Sequence, residues 1–246
     1  YACASDILKM WQDKGILKIE DKPAIYIYEE EFSVGNTQKS IKGIIARVQL
    51  EEFSKGIILP HEFTLSKAKE DRLNLMKATN CNFSQIYALY MDERHTTLAT
   101  IDEQSKAKAD LEFTDETGVT HRLWIETDEE IIAKLVADFA DRKLYIADGH
   151  HRYETALNYR NYCRENGISK PGDPQDFQMI YLVDMEHPGL VVFPTHRLVR
   201  DLPNFDKEAV LEKCSEFFYI DEKEGTDTME EDLKKLYDEG KKAFGF

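Results

Sequence analysis

The run Tyr145-Ile146-Ala147-Asp148-Gly149-His150-His151-Arg152-Tyr153-Glu154-Thr155-Ala156-Leu157 sets four ionisable side chains around one glycine, between an apolar segment and a helical one. Lys143 to Ala147 has the pattern of a buried strand, and Ala156 and Leu157 follow Tyr153 at the spacing of one helix face. Asp148 to His151 is therefore expected to form a strand-to-helix elbow. A helix start presents unpaired N–H groups and the positive end of the dipole, and Gly149 lets a ligand come close to the backbone. Arg152 adds a fork of donors suited to phosphate, and Asp148 a carboxylate able to place a magnesium ion. The alternative is structural, with Asp148 as a plain N-cap and two surface histidines. Several local rules broken together favour a site.

A second cluster lies upstream. Pro60-His61-Glu62 follows an apolar strand, so Glu62 falls at a strand end, with Thr64, Lys67, Lys69 and Arg72 close behind. A carboxylate there can take the proton of a substrate hydroxyl while the cations neutralise phosphate. A solvated loop leading into a charged helix face is the plainer account. His196 and Arg197, after Phe193-Pro194-Thr195, offer further phosphate contacts. Glu62 and Asp148 are expected to meet at one edge of a sheet, with His61 or His196 lining the shared cleft. A zinc site finds little support, because no His-Glu-x-x-His spacing exists and adjacent helical histidines diverge by about 100°. His95, His121 and His187 lack such neighbours and are assigned to the surface.

These groups need a scaffold, and the pattern supplies strands and helices in alternation. Ala24–Tyr28, Ile41–Leu50 and Ser84–Met91 are β-branched and aromatic, and Leu111–Thr114 and Val119–Ile125 flank Asp115-Glu116-Thr117-Gly118 as a hairpin. Helices are expected at Ser5–Lys14 and Lys69–Thr79, and along the stripe Ile131, Ile132, Leu135, Val136, Phe139, opened by a capping box of Thr127 and Glu130. Phe177–Asp184 and Leu190–Phe193 read as strands, 169–174 as a loop, and Val210–Phe217 and Met229–Tyr237 as two late amphipathic helices, the last stopped by Gly240.

The 246 residues, 42% of them apolar, can bury a sizeable core. The chain is read as one catalytic or nucleotide-binding region over 1–246. Starting at Tyr1 and stopping at Phe246, it has the look of an internal piece of a longer protein. Cys3, Cys81, Cys163 and Cys214 are too scattered for a zinc knuckle or a disulfide framework, which points to a cytoplasmic setting. A net charge of −15 argues against nucleic acid, and residues 201–240 alone hold fourteen Asp or Glu against five Lys. No apolar run is long enough to span a membrane.

Three blocks, in order, resemble the DUF1015 family: Gly56–Tyr90, the elbow run Tyr145–Leu157, and Phe193–Val199. The resemblance covers essentially the whole chain but implies little chemistry. More distantly, the strand-Asp-Gly-His-His-Arg-helix element is similar to that of archaeal free-serine kinases, which belong with ParB and sulfiredoxin to one nucleotide-binding superfamily. The equivalent turns there read Gly-Glu-Arg-Arg and Gly-Cys-His-Arg, and they cradle nucleotide phosphates. His150 stands where sulfiredoxin has its cysteine, so sulfinic-acid repair is not implied.

That resemblance implies an α/β (mixed α+β) protein, with a ParB/sulfiredoxin-like nucleotide-binding core and an added mixed or antiparallel sheet. It also implies a kinase acting on a small hydroxylated metabolite such as free serine, with Mg2+ and with ATP, ADP or pyrophosphate as donor. Glu62, Asp148 and His151 are then the catalytic residues, with Asp148 also on the metal. Gly149, His150, Arg152, Lys69, Arg72, His196 and Arg197 face the donor, and His61 and Thr64 the acceptor. A nucleotide-binding regulatory switch, with a protein partner and no need of a base at Glu62, is the second hypothesis. A metal-dependent phosphohydrolase is the third.

Overall fold

A computed structural model gives residues 1–192, 198–223 and 225–245, without the side chains of 66–68. It divides into two compact units, Tyr1–Val192 and Phe193–Phe246. In the first unit, α1 (Ala2–Asp13) precedes a long hairpin of β1 (Ile25–Val34) and β2 (Thr37–Gln49). Next come β3 (Ile58–Leu59), α2 (Ser66–Thr79), β4 (Ile86–Tyr90), α3 (Thr96–Gln104), β5 (Leu111–Thr114) and β6 (Thr120–Glu126). The unit closes with α4 (Glu129–Asp138), β7 (Leu144–Asp148), α5 (His150–Glu165) and β8 (Phe177–Asp184). In the second unit, α6 (Lys207–Ser215) and α7 (Met229–Asp238) bury no residue fully. Among the described residues no helix is long and apolar enough to cross a membrane.

The fold is mixed α/β, with one eight-stranded sheet in the order β3-β7-β4-β8-β2-β1-β6-β5. β3 with β7 and β4 with β8 are parallel, and the other pairs are antiparallel. This topology positions the site. Because β3 and β7 run parallel, Leu59 and Asp148 leave the sheet at the same end, and β4, antiparallel to β7, enters there with Tyr87 opposite Asp148. A register irregularity between Tyr87 and Ala88 marks that junction.

Alternation along the strands decides what is buried. Ile25 and Ile27, Ile86, Ala88 and Tyr90, Leu144 and Ile146, and Ile180 and Leu182 join Tyr153, Ala156 and Leu157 of α5, Ile101 of α3 and Leu135 of α4 in one core. Each of the buried isoleucines and leucines contributes roughly 1.5–3 kcal/mol by leaving water. Tyr181, Val183 and Ile41 form a smaller cluster on the opposite face with Tyr28 and Tyr87. The Tyr181 ring lies across Gly43, where a Cβ would come within 2.3 Å of the Leu182 carbonyl oxygen and 2.8 Å of the ring. Gly43→Ala is expected to lower unfolding stability by about 1–3 kcal/mol, read from the denaturant midpoint, because backbone cannot yield there. An unchanged midpoint would refute this account of the glycine.

Several expectations need correction. Asp128, not Thr127, caps α4, its carboxylate accepting from the Glu130 and Ile131 amides, because a carboxylate at that place offers the better acceptor to the dipole. Leu190–Val192 form no strand; the Leu190 amide is used in a turn to the His187 carbonyl. His121 is not a plain surface residue: Tyr28 Oη lies 2.7 Å from its Nδ1, Asp115 Oδ2 lies 3.2 Å from its Nε2, and its ring stacks on Phe113. His187 is half-buried, with Nδ1 accepting from the Gly189 amide, and burial lowers its pKa. α3 has no apolar stripe in the sequence to mark it, because it buries Thr97 and Thr100 where apolar residues signal a helix.

Candidate functional site

β7 ends at Asp148, Gly149 takes φ 99°, and α5 begins at His150. That left-handed backbone favours glycine, and a Cβ on Gly149 would stand 3.0 Å from the Arg152 guanidinium. Arg152 folds back over the glycine and donates to the Asp148 carboxylate, the Gln85 carbonyl and, at 3.1 Å, Ser84 Oγ. No side chain caps α5, and its first turn holds no acidic residue. The Tyr153 amide makes the bond back to the Gly149 carbonyl, at 2.9 Å. The amides of His150, His151 and Arg152 are those that a helix start leaves open, at the positive end of the dipole.

The facing wall is the segment from Pro60 to Leu65, between β3 and α2. His61 Nδ1 lies 2.8 Å from the Ile146 carbonyl, which can only accept, so Nδ1 carries the proton and Nε2 is left 4.0 Å from Glu62 Oε1. The His61 amide donates to His150 Nε2 at 3.2 Å, and the two rings meet edge to face at 4.5 Å. His150 is 3% exposed; burial holds its pKa below the usual histidine value, with the neighbouring His61 acting in the same direction. The Leu65 amide donates to His151 Nε2 at 3.0 Å. Glu62 is 64% exposed, with Oε2 3.8 Å from His150 Nδ1.

Glu62, Arg72, Asp148, Gly149, His150, His151 and Arg152 line one open cleft of about 220 Å³. His61 packs behind His150. Lys69 turns to Glu154 at 2.5 Å, and Thr64 lies near the same carboxylate. Burial alone would raise the Glu154 pKa, but the Lys69 hydrogen bond, with Thr64 and the Lys69 charge acting in the same direction, brings it below the usual range. Arg72 pairs with no carboxylate among the described residues, so its guanidinium is not held in an ion pair there. His196 and Arg197 lie outside the described residues.

Glu154, Ser84 and Gln85 join the site without having been anticipated. Glu154 had a readable signal, since it lies one turn of helix beyond His150 and His151. Ser84 and Gln85 had none, because their part depends on β4 entering the sheet beside Asp148. Among the described residues no group of three or more His, Cys, Asp and Glu could hold a metal ion. Asp148 and Glu62 are the carboxylates on the cleft. Such a donor set suits an ion that keeps most of its ligands from water and phosphate.

Fold and cleft together define a mixed α/β protein with a charged cleft where an inner strand of the sheet, β7, turns into a helix. The chain belongs to the DUF1015 family: the family model, described as a protein of unknown function, matches residues 1–246. No curated protein and no solved structure matches the chain.

Proposed function

We propose that this protein is a phosphotransferase acting on a small hydroxylated metabolite such as free serine, with ATP, ADP or pyrophosphate as donor and a ParB/sulfiredoxin-like nucleotide-binding core. The observation that carries this reading is the placement of the Glu62 carboxylate and of Arg72, which has no carboxylate partner among the described residues, on one cleft with the open amides of α5. Donor phosphate would rest on those amides, with Arg72 balancing its charge. Glu62, beside His61 and His150, would take the proton of the acceptor hydroxyl. Asp148 would hold a magnesium ion carried in on the phosphates, which supplies charge neutralisation when bound. The cleft is smaller than the ~300 Å³ of ordinary small-molecule pockets and is lined by polar and charged residues and one glycine. It suits the phosphates and a small acceptor, and the rest of a nucleotide would extend beyond it.

A nucleotide-binding switch is favoured by one feature. Arg152 is tied to Asp148 and to the Gln85 carbonyl, contacts that a bound phosphate can compete for. Either way the ligand is anionic, and cytoplasmic placement follows from the use of such metabolites.

The deciding experiment incubates the full-length protein with magnesium, serine or a panel of small alcohols, and each donor in turn, with products identified by mass spectrometry. Transfer to a hydroxyl supports the kinase; donor binding without transfer supports the switch. In the same preparation, Arg72→Ala is expected to weaken pyrophosphate binding roughly tenfold or more by calorimetry, the loss of one charge-assisted contact. Undiminished affinity would remove Arg72 from the site.

A further inference from the structure

The two histidines of the elbow point their Nε2 atoms at backbone. His150 Nε2 accepts the His61 amide at 3.2 Å, and His151 Nε2 accepts the Leu65 amide at 3.0 Å. A ring nitrogen that accepts an N–H must present its lone pair, so in both imidazoles the proton is on Nδ1. The amides belong to the ends of one five-residue stretch, His61–Leu65, which carries Glu62 and Thr64 and leads into α2, with Leu65 as its N-cap. Adjacent positions on a helix point about 100° apart, which lets neighbouring histidines reach two amides four residues apart.

We infer that His150 and His151 are positioning residues that dock the His61–Leu65 segment onto the start of α5 and act on a ligand through that segment. Three observations support this. Each Nε2 is already occupied by an amide. His150 is 3% exposed, with little surface left to offer a ligand. His61 sends its own Nδ1 proton to the Ile146 carbonyl of β7, so the segment is fastened to the strand as well as to the helix. Between the two pegs, Glu62 is left exposed, and Thr64 and Lys69 meet Glu154 one turn further along α5. The carboxylate thus gains a fixed distance from the helix start without being buried. For turnover this rests on the phosphotransfer reading; for geometry it does not.

The test is made first on the full-length protein without ligand. Nitrogen-15 spectra should show a scalar coupling across each N–H···N bond, from the His61 amide to His150 Nε2 and from the Leu65 amide to His151 Nε2, with both rings in the Nδ1–H tautomer. Absence of both couplings in a folded sample overturns the proposal, whatever the protein's activity. Next, His150→Ala and His151→Ala should speed exchange of the matching amide about three- to tenfold, the loss of one hydrogen bond. His150→Gln and His151→Gln place an acceptor oxygen near the former Nε2 and should recover most of that protection.

With pyrophosphate as probe, the Gln variants should bind more nearly as the unsubstituted protein does than the Ala variants. An equal loss of pyrophosphate affinity in Ala and Gln variants, with the amides protected in the latter, would show that the imidazoles act on the ligand directly through Nδ1–H and not through the docked segment, and would overturn the proposal. If pyrophosphate and nucleotides bind to no variant and not to the unsubstituted protein, the phosphotransfer reading fails, while the couplings still decide the docking.

Discussion

Gly149→Val should abolish pyrophosphate binding within the range of calorimetry and lower unfolding stability by about 1–3 kcal/mol. Two independent effects combine. At φ 99° a β-branched residue is held where its Cβ meets its own backbone, the kind of strain that costs 1–3 kcal/mol at about each such residue. The same Cβ would also stand 3.0 Å from Nε and from a terminal nitrogen of Arg152, driving the guanidinium from Asp148, Ser84 and Gln85 and into the cleft. Gly149→Ala keeps both effects but lacks the β-branch, so it should fall between the parent and valine in both measurements. Full pyrophosphate affinity in the valine variant would show that the helix start is not the anion site.

Glu62→Gln should reduce turnover on the order of a hundredfold or more while leaving donor affinity within a few-fold, if Glu62 is the base. The side chain is mostly exposed and its oxygens stand 3.8–4.0 Å from the two histidines, so glutamine can take its place without unmaking a hydrogen bond of the fold. Dissociation constant and turnover are to be measured in one preparation. A large loss of affinity with turnover per bound complex intact would assign Glu62 to ligand or metal placement, and unchanged turnover would show that Glu62 is not the base.

The strand, the glycine and the helix of the elbow were legible because apolar periodicity changes from strand to helix across Gly149. The strands at Ala24–Tyr28 and Ile41–Leu50 were legible too, but their extension and joining into the β1–β2 hairpin was not, although Gly35-Asn36 is a recognisable turn pair, because Glu29, Glu30 and Glu31 interrupt the apolar pattern. The sheet accepts them through cross-strand pairing: Arg122 of β6 bonds Glu29 and Glu31 at 3.1 and 2.9 Å, and also Glu112 of β5. Pairing of this kind depends on strand order, which no local pattern carries. The same limit applies to the cleft. Residue types at Glu62, Arg72 and Asp148 suggested chemistry, but whether Lys69 is free or spent on Glu154, and whether Arg152 faces a ligand or its own carboxylate, depends on neighbours distant in sequence.

Behind the cleft, α5 is fastened along its length. The Tyr153 hydroxyl both donates to the Glu51 carbonyl at 2.8 Å and accepts from the Glu51 amide at 2.9 Å. Arg160 reaches the Leu50 carbonyl at 2.9 Å, and Arg164 meets both oxygens of Asp176 at 2.8 Å. A helix so tethered has already given up its conformational freedom on folding. A ligand arriving at its first turn therefore meets amides whose directions are set in advance, and little of its binding energy goes to ordering the receptor. Association at this end should accordingly be fast, and a tight complex should owe its affinity to slow departure.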